Sequence, residues 1–352
     1  CAPSPASAGE GRGGGGAARH SPPMITFILQ RLGFAALTLF VSSILAFIII
    51  QLPPGDFVDT YIANLSASGS AVSQAEAEAM RQLYGLDQPM WVQYIKWISR
   101  VLVGDFGESM EWRRPVSEVI GSRLWMTVLI SFFALIITWG IALPVGILSA
   151  VRQYSVLDYL FTFISFIGLA IPNFLLALVV MYLGFRWFGM NVGGLFSSEY
   201  ELAPWSWGKV WDLVKHLPLP GIILALGGTA QLVRIMRANL LDELRKPYVV
   251  TARAKGLPEQ RVILKYPVRA ALNPFASTIA YLFPYLVSGS VIVSIVLSLP
   301  TVGPLLVKAL IAQDMFLAGT IILLLGMLTV VGTFISDLVL MWIDPRIRHQ
   351  MD

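Results

Sequence analysis

Charge, cysteine and histidine are all scarce in this chain. Only 13% of its 352 residues are Asp, Glu, Lys or Arg, while 56% are hydrophobic, and a soluble domain of that size needs far more polar surface to cover itself. The composition is that of an integral membrane protein. A single cysteine, Cys1, excludes an intramolecular disulfide and a cysteine metal site. The three histidines, His20, His216 and His349, all lie outside the long apolar runs, so a membrane-embedded nucleophile has no histidine base, and no H-E-x-x-H zinc motif is present. The Gly208–Lys209 pair lacks the G-x-x-x-x-G-K-[ST] context that cradles phosphates. An enzyme, a metal site and a cofactor bound by this chain are therefore not expected.

What the chain has in abundance is apolar runs. A span of about 20 apolar residues at 1.5 Å per residue crosses a hydrocarbon core of roughly 30 Å. Six runs reach that length: Ile25–Leu52, Leu124–Val151, Tyr159–Phe188, Leu217–Leu240, Phe275–Leu299 and Phe316–Ile343. The third contains Pro172, which removes a helical hydrogen bond and clashes with the preceding turn, so it is expected to tilt or kink there, or to form two half-helices. Residues 1–23 have the small-residue, weakly hydrophobic composition of a disordered tail. A lipoprotein reading of Cys1 is weighed against a processed or over-extended start, with Met24 favoured as the natural beginning.

Lys and Arg orient the six spans. Arg31, Arg152, Arg245, Lys246, the run "VVTARAKGLPEQRVILKYPVRAALNP" at 249–274, Arg346 and Arg348 fall on one side, against Lys209, Lys215 and Lys308 in the short loops of the other. Positive charge is retained in the cytoplasm, which puts both termini and the basic run there and residues 53–123 outside. The net charge of +4 follows from the same bias and calls for no nucleic acid partner. Within the outer segment, Ser73 and Glu76 have the spacing of a capping box and Gly85 marks a stop, predicting a short helix. Trp91, Tyr94, Ile95, Ile98 and Leu102 then recur at helical spacing, predicting an amphipathic helix on the membrane surface or under a partner.

Ionisable groups are nearly absent inside the runs. A secondary carrier needs them for coupling, and Asp337 is the main exception, with Arg186, Arg234 and Arg237 near span ends. Asp337 lies about two turns from a boundary, where a structural ion pair is the favoured role over a proton relay. Pro172, Asn173, Gln231, Ser288 and Ser290 are candidate pathway positions, since small and polar groups face protein or a wet cavity. Each of them suits a helix-packing contact equally well.

"YVVTARAKGLPEQRVILKYPVRAALNP" resembles the EAA loop of ATP-binding-cassette importer permeases in the form found in the peptide/nickel permease family. "QLPPGDFVDTYI", "LYGLDQPMWVQYIKWI", "GDFGESMEWRRPVSEVI" and "WIDPRIRHQ" resemble that family's landmarks in the same order, from Met24 to the end. The resemblance implies an all-α membrane protein with six transmembrane helices and the type I importer permease fold. Residues 24–52 would be the first helix, 53–123 a helical extracytoplasmic segment, and 124–352 a five-helix core with its coupling loop at 241–274. It implies that Ala252, Arg253, Ala254, Lys255, Gly256 and Leu257 contact a separate ATPase. Val250 stands where the strict motif has Glu, which removes any salt bridge from that site. The implied partners are two ATPase subunits that use ATP and Mg, a second permease, an extracytoplasmic solute-binding protein and the lipid bilayer of the inner membrane. The implied cargo is a peptide, with nickel or an oligosaccharide as alternatives. A secondary carrier and a membrane-embedded assembly protein are the competing classes.

Overall fold

The computed structural model describes residues 24–69, 73–189, 193–278, 285 and 290–343. Helices dominate. In chain order they are α1 (Met24–Gln51), α2 (Phe57–Ala67), α3 (Gln74–Tyr84), α4 (Met90–Leu102), α5 (Val116–Val151), α6 (Val156–Ala170), α7 (Asn173–Phe188), α8 (Trp207–His216), α9 (Pro218–Leu244), α10 (Pro247–Ala254), α11 (Glu259–Lys265), α12 (Pro267–Ser277), α13 (Val302–Ile311) and α14 (Met315–Ile343). Between α4 and α5, β1 (Glu108–Ser109) pairs antiparallel with β2 (Arg114–Pro115).

Among the described residues, four helical stretches are long and apolar enough to cross a membrane: Leu29–Gln51, Val116–Val151, Trp207–Leu244 and Met315–Val339. Over the expected run Tyr159–Phe188 the chain forms two half-helices, one of the alternatives anticipated at Pro172: α6 and α7 meet at a bend of 101°. Pro172 lacks the amide hydrogen that a continuing helix requires, and its ring pushes the preceding residue out of the helical region; Ile171 is accordingly extended, at φ −88° and ψ 121°. Of the expected span Phe275–Leu299, only residues 275–278, 285 and 290–299 lie within the described part of the chain.

The main core is built on α5 and α9, the most extensively paired helices, with α6, α7 and α12 laid against α9. In a membrane, lipid is as apolar as the helix surface, so helices associate where small residues allow their backbones to approach. Gly146 supplies that approach: a Cβ there would sit 2.7 Å from Met236 Cβ and 3.2 Å from the Val233 carbonyl oxygen. At the far end of the pair, Gly221 faces Phe133 in the same way, at 2.6 Å. Outside this core, α1 runs along α14, and Arg31 and Asp337 form an ion pair at 3.1 Å between them, the structural role favoured for Asp337.

A second core gathers residues 53–123 onto α1, the start of α5 and α13–α14 around the fully buried Trp97, Phe47 and Met110. The capping box forms as predicted: Ser73 Oγ accepts from the Glu76 amide, Glu76 accepts from the Ser73 amide, and Gly85 closes α3 at φ +68°. Asp56 and Asp59 build a second box at the start of α2, and Arg81 of α3 binds both carboxylates. The stripe expected on α4 divides into two faces. Tyr94, Trp97, Ile98 and Val101 turn inward to the core, while Trp91, Ile95 and Leu102 are exposed. Buried Asp314 fastens the hairpin to α14, accepting from Ser109 Oγ at 2.5 Å and from the amides of Glu111 and Leu317 at 3.1 Å each.

The glycine approach generates a stability prediction. Gly146→Val separates α5 from α9 and lowers stability by about 1–3 kcal/mol, the usual cost of overpacking a close contact. Thermal unfolding in detergent reads this out, with Gly33→Ala, whose added Cβ would meet nothing within 4 Å, staying at the parent value.

Candidate functional site: a polar recess and a basic turn joined by one helix

The anticipated coupling residues fall on two short helices that follow α9. Pro247 opens α10 at its first position, where a missing amide costs nothing and a fixed φ helps. Gly256 ends the turn after α10 at φ +72°, a conformation that glycine adopts without strain. Pro258 then leads into α11. Val249, Ala252 and Val262 are buried against one another, with Leu257 and Tyr266 packed at the edge. Ala252 therefore serves the approach of α10 to α11 and is only 6% exposed. Arg253, Ala254, Lys255 and Gly256 are exposed and Leu257 is half-buried.

Arg253 is engaged within the turn itself. Its guanidinium donates to both Glu259 oxygens, at 3.2 and 3.1 Å from Nε and 2.6 Å from Nη2. The Arg253 guanidinium holds the Glu259 carboxyl below the ordinary carboxylate value. Both side chains are about half exposed, so the pair is worth under about 1 kcal/mol and acts chiefly to fix the shape of the turn. What is left facing outward is Ala254, Lys255, Gly256 and, on the preceding helical turn, Val250 and Thr251. This is a low knob of small side chains around Lys255 that another backbone can approach closely.

At the start of α7 and on α9, Pro172, Asn173 and Gln231 come together. They line a recess of about 310 Å³ with Gly168, Leu169, Ile171, Phe174, Gly227, Tyr285, Ile292 and Val293. The break at Ile171–Pro172 creates it, by turning the start of α7 away from α6 and presenting Asn173. Gly227 gives it depth, because a Cβ there would lie 3.6 Å from both Asn173 Oδ1 and Tyr285 Oη. The amides of Asn173 and Gln231 and the Tyr285 hydroxyl thus converge beside apolar side chains, and among the described residues no lining side chain is charged. Gln231 and Pro172 are exposed, so the recess opens onto the face of the chain.

Ser290 is 4% exposed and does not line this recess; Ser288 lies outside the described residues. Gly168, Gly227 and Tyr285 were not anticipated. The Gly227–Gly228 pair and a glycine four residues before Pro172 were the available signals. Also unforeseen was Asp158, a carboxylate only 2% exposed. It receives Arg237 Nε and Nη2 at 2.8 Å each.

One long helix, α9, lines the neutral polar recess and leads through two residues into the exposed basic turn. Residues 142–349 match the family described as "Binding-protein-dependent transport system inner membrane component", and residues 24–131 match the N-terminal region of the same class of proteins. The chain belongs to this family. It is 36% identical over 330 residues to an oligopeptide transport system permease protein of Bacillus subtilis, covering 93% of this chain and all of the relative. It is 31% identical over 355 residues to a dipeptide transport system permease protein of Escherichia coli, at 93% and 100% coverage. A dipeptide permease protein of Lactococcus lactis is 28% identical over 327 residues, at 92% and 100%.

The contact that ties α9 to α10 titrates. The Tyr248 hydroxyl donates to the Glu243 carboxylate, and burial, reinforced by that carboxylate, pushes the phenol above its ordinary value of 10. The folded state therefore holds this proton more tightly than the unfolded one. Its contribution to stability is present in full below pH 10 and is lost as pH rises through the higher folded value. The difference in phenolate absorbance between the parent and Tyr248→Phe is expected to appear only above pH 10. A difference that titrates at the ordinary value would rule the contact out.

Proposed function

We propose that this chain is one of two permease subunits of an ATP-driven importer of short peptides. Two ATPase subunits, which bind and hydrolyse ATP with Mg, dock on the α10–α11 turn, and an extracytoplasmic binding protein delivers the solute. Peptide is the favoured cargo because the relatives are named as oligopeptide and dipeptide permeases. The lining chemistry agrees: side-chain amides and a hydroxyl hydrogen-bond peptide groups and discriminate little among side chains, while apolar walls exclude competing water.

The observation that carries this reading is the continuity of α9. It bears Gly227 and Gln231 at the recess, and only two residues separate its end at Leu244 from α10. A push on the turn is thus delivered to the recess by a single rigid element. Because the recess is lined from one side and open on the other, a second permease chain is the natural complement that closes it into a pathway.

In this reading the membrane is crossed six times. The four long helices make four crossings, the bent α6–α7 pair a fifth, and the segment through Phe275–Leu299 the sixth. Both termini and the basic turn face the cytoplasm under the positive-inside rule, residues 53–123 lie outside, and the membrane is the inner membrane. Residues 241–274 carry the coupling role through Ala252, Arg253, Ala254, Lys255, Gly256 and Leu257. Of these, Ala252 acts by setting the fold of the turn and the others through its surface.

Gly256→Val tests the assignment. A β-branched residue at φ +72° is strained by roughly 1–2 kcal/mol, enough to reshape an exposed turn and too little to unfold the helical core. In liposomes holding the complete complex, ATP-dependent peptide uptake is expected to fall severalfold, with membrane insertion and thermal stability near the parent values. Uptake equal to the parent would remove the turn from the mechanism.

A further inference from the structure

Three features outside the recess stand out: an outer cleft edged by Lys96, Arg100 and Arg113, the exposed tryptophans of α8, and the buried pair Asp158–Arg237. The last is bound to the machinery most closely. Arg237 lies on α9 between Gln231 and the end of the helix, about 9 Å along the axis from the recess. Asp158 lies in the first turn of α6, and the opposite end of α6, at Gly168 and Leu169, forms a wall of the recess.

The two antiparallel helices are therefore joined twice. At the recess, Gly168 allows contact so close that an added Cβ would lie 3.3 Å from Ala230 Cβ and 3.4 Å from Leu226 Cγ. At the other end, Arg237 and Asp158 meet in a two-pronged ion pair, both bonds at 2.8 Å. The carboxylate is further held by the Tyr154 amide at 2.9 Å and by the Ser149 hydroxyl at the end of α5. A carboxylate this buried cannot lose its cation without being stranded in a poorly polar setting. Moving α9 away from α6 is thus strongly opposed, and moving both together is not.

We infer that Asp158 and Arg237 are positioning residues that make α6 travel with α9, so that a displacement of the α10–α11 turn shifts both walls of the recess as one body. This rests on the importer reading above and assigns to these residues a role in coupling, not in contacting the solute. The bent junction at Ile171–Pro172 then becomes the place where the moving pair parts from α7.

The test uses the complete complex in liposomes, measuring peptide taken up and ATP hydrolysed side by side. ATP-dependent uptake by the parent complex examines the importer reading separately. Asp158→Asn keeps the shape of the side chain but weakens the grip on Arg237. Peptide moved per ATP hydrolysed is expected to fall roughly tenfold, on the scale of an ordinary coupling between sites, with hydrolysis and the amount of assembled complex retained. Uptake and hydrolysis declining together with assembled complex would reduce the pair to a stabilising contact, and an unchanged ratio would dismiss the role.

A second arm does not depend on removing anything. Gly168→Cys with Ala230→Cys, with Cys1→Ser, places two thiols at a Cβ separation close to the roughly 3.5–4.5 Å that a disulfide spans. If α6 and α9 move together, the oxidised protein transports as well as its own reduced form, and the same staple restores the ratio in the Asp158→Asn background. Uptake that stops on oxidation and returns on reduction would show that the helices must slide past each other, which overturns the inference.

Discussion

The close approach of α5 to α9 is the constraint on which the rest of the molecule depends. Lipid offers no hydrophobic reward for bringing two apolar helices together, so the gain must come from contact, and contact requires that side chains be missing where the backbones meet. Gly146 and Gly221 are missing side chains at two levels of the same pair. Once α9 is fixed against α5, its other faces become the template on which α6, α7 and α12 are arranged. Gly168 then repeats the device on a third helix, and Gly227 uses the same absence for another purpose, leaving room for a polar recess instead of a neighbouring helix.

Polar groups are placed with a matching economy. Charges within the helices are paired across helices at Arg31–Asp337 and Arg237–Asp158. Among the described residues, the hydrogen-bonding groups of the recess are neutral. A translocating subunit benefits from this separation. Charged walls would hold a zwitterionic solute in place, whereas amides and a hydroxyl replace part of its hydration and release it again. In the importer proposed above, the work of moving the walls is left to an outside source of energy that presses on the exposed turn.

The segment 53–123 follows the packing rules of a small independent core attached to the long apolar helices. It has capped helices, a hairpin, an aromatic core around Trp97 and a buried carboxylate, Asp314, at its junction with α14. Its helix α4 shows why a stripe of aromatics in a sequence is ambiguous. Trp91 and Trp97 are six residues apart and face opposite environments, one outward and one fully buried.

Much of this was legible in the sequence because it rests on local or compositional physics. Apolar length marked the spans, Ser73, Glu76 and Gly85 marked α3, and the Ala/Gly pattern at 252–257 marked the turn. Pro172 announced a disruption, and its chemistry explains the break, but the angle of 101° was set by how α6 and α7 are packed on α9. The same limit applies to partners in space. Asn173 and Gln231 were recognisable as polar groups in apolar runs, yet only packing brought them to one recess with Tyr285 over Gly227. Ala252 looked like an outward docking residue and was turned inward by Val249 and Val262. Asp158 and Arg237 are 79 positions apart, and no periodicity connects them. The sequence by itself thus determined which runs are apolar, where α3 is capped and closed, where proline breaks a helix and which loop is basic, since those depend on neighbours along the chain. The tertiary structure alone decided which helices share a face and which charges meet, because those depend on side chains that are absent as much as on those present.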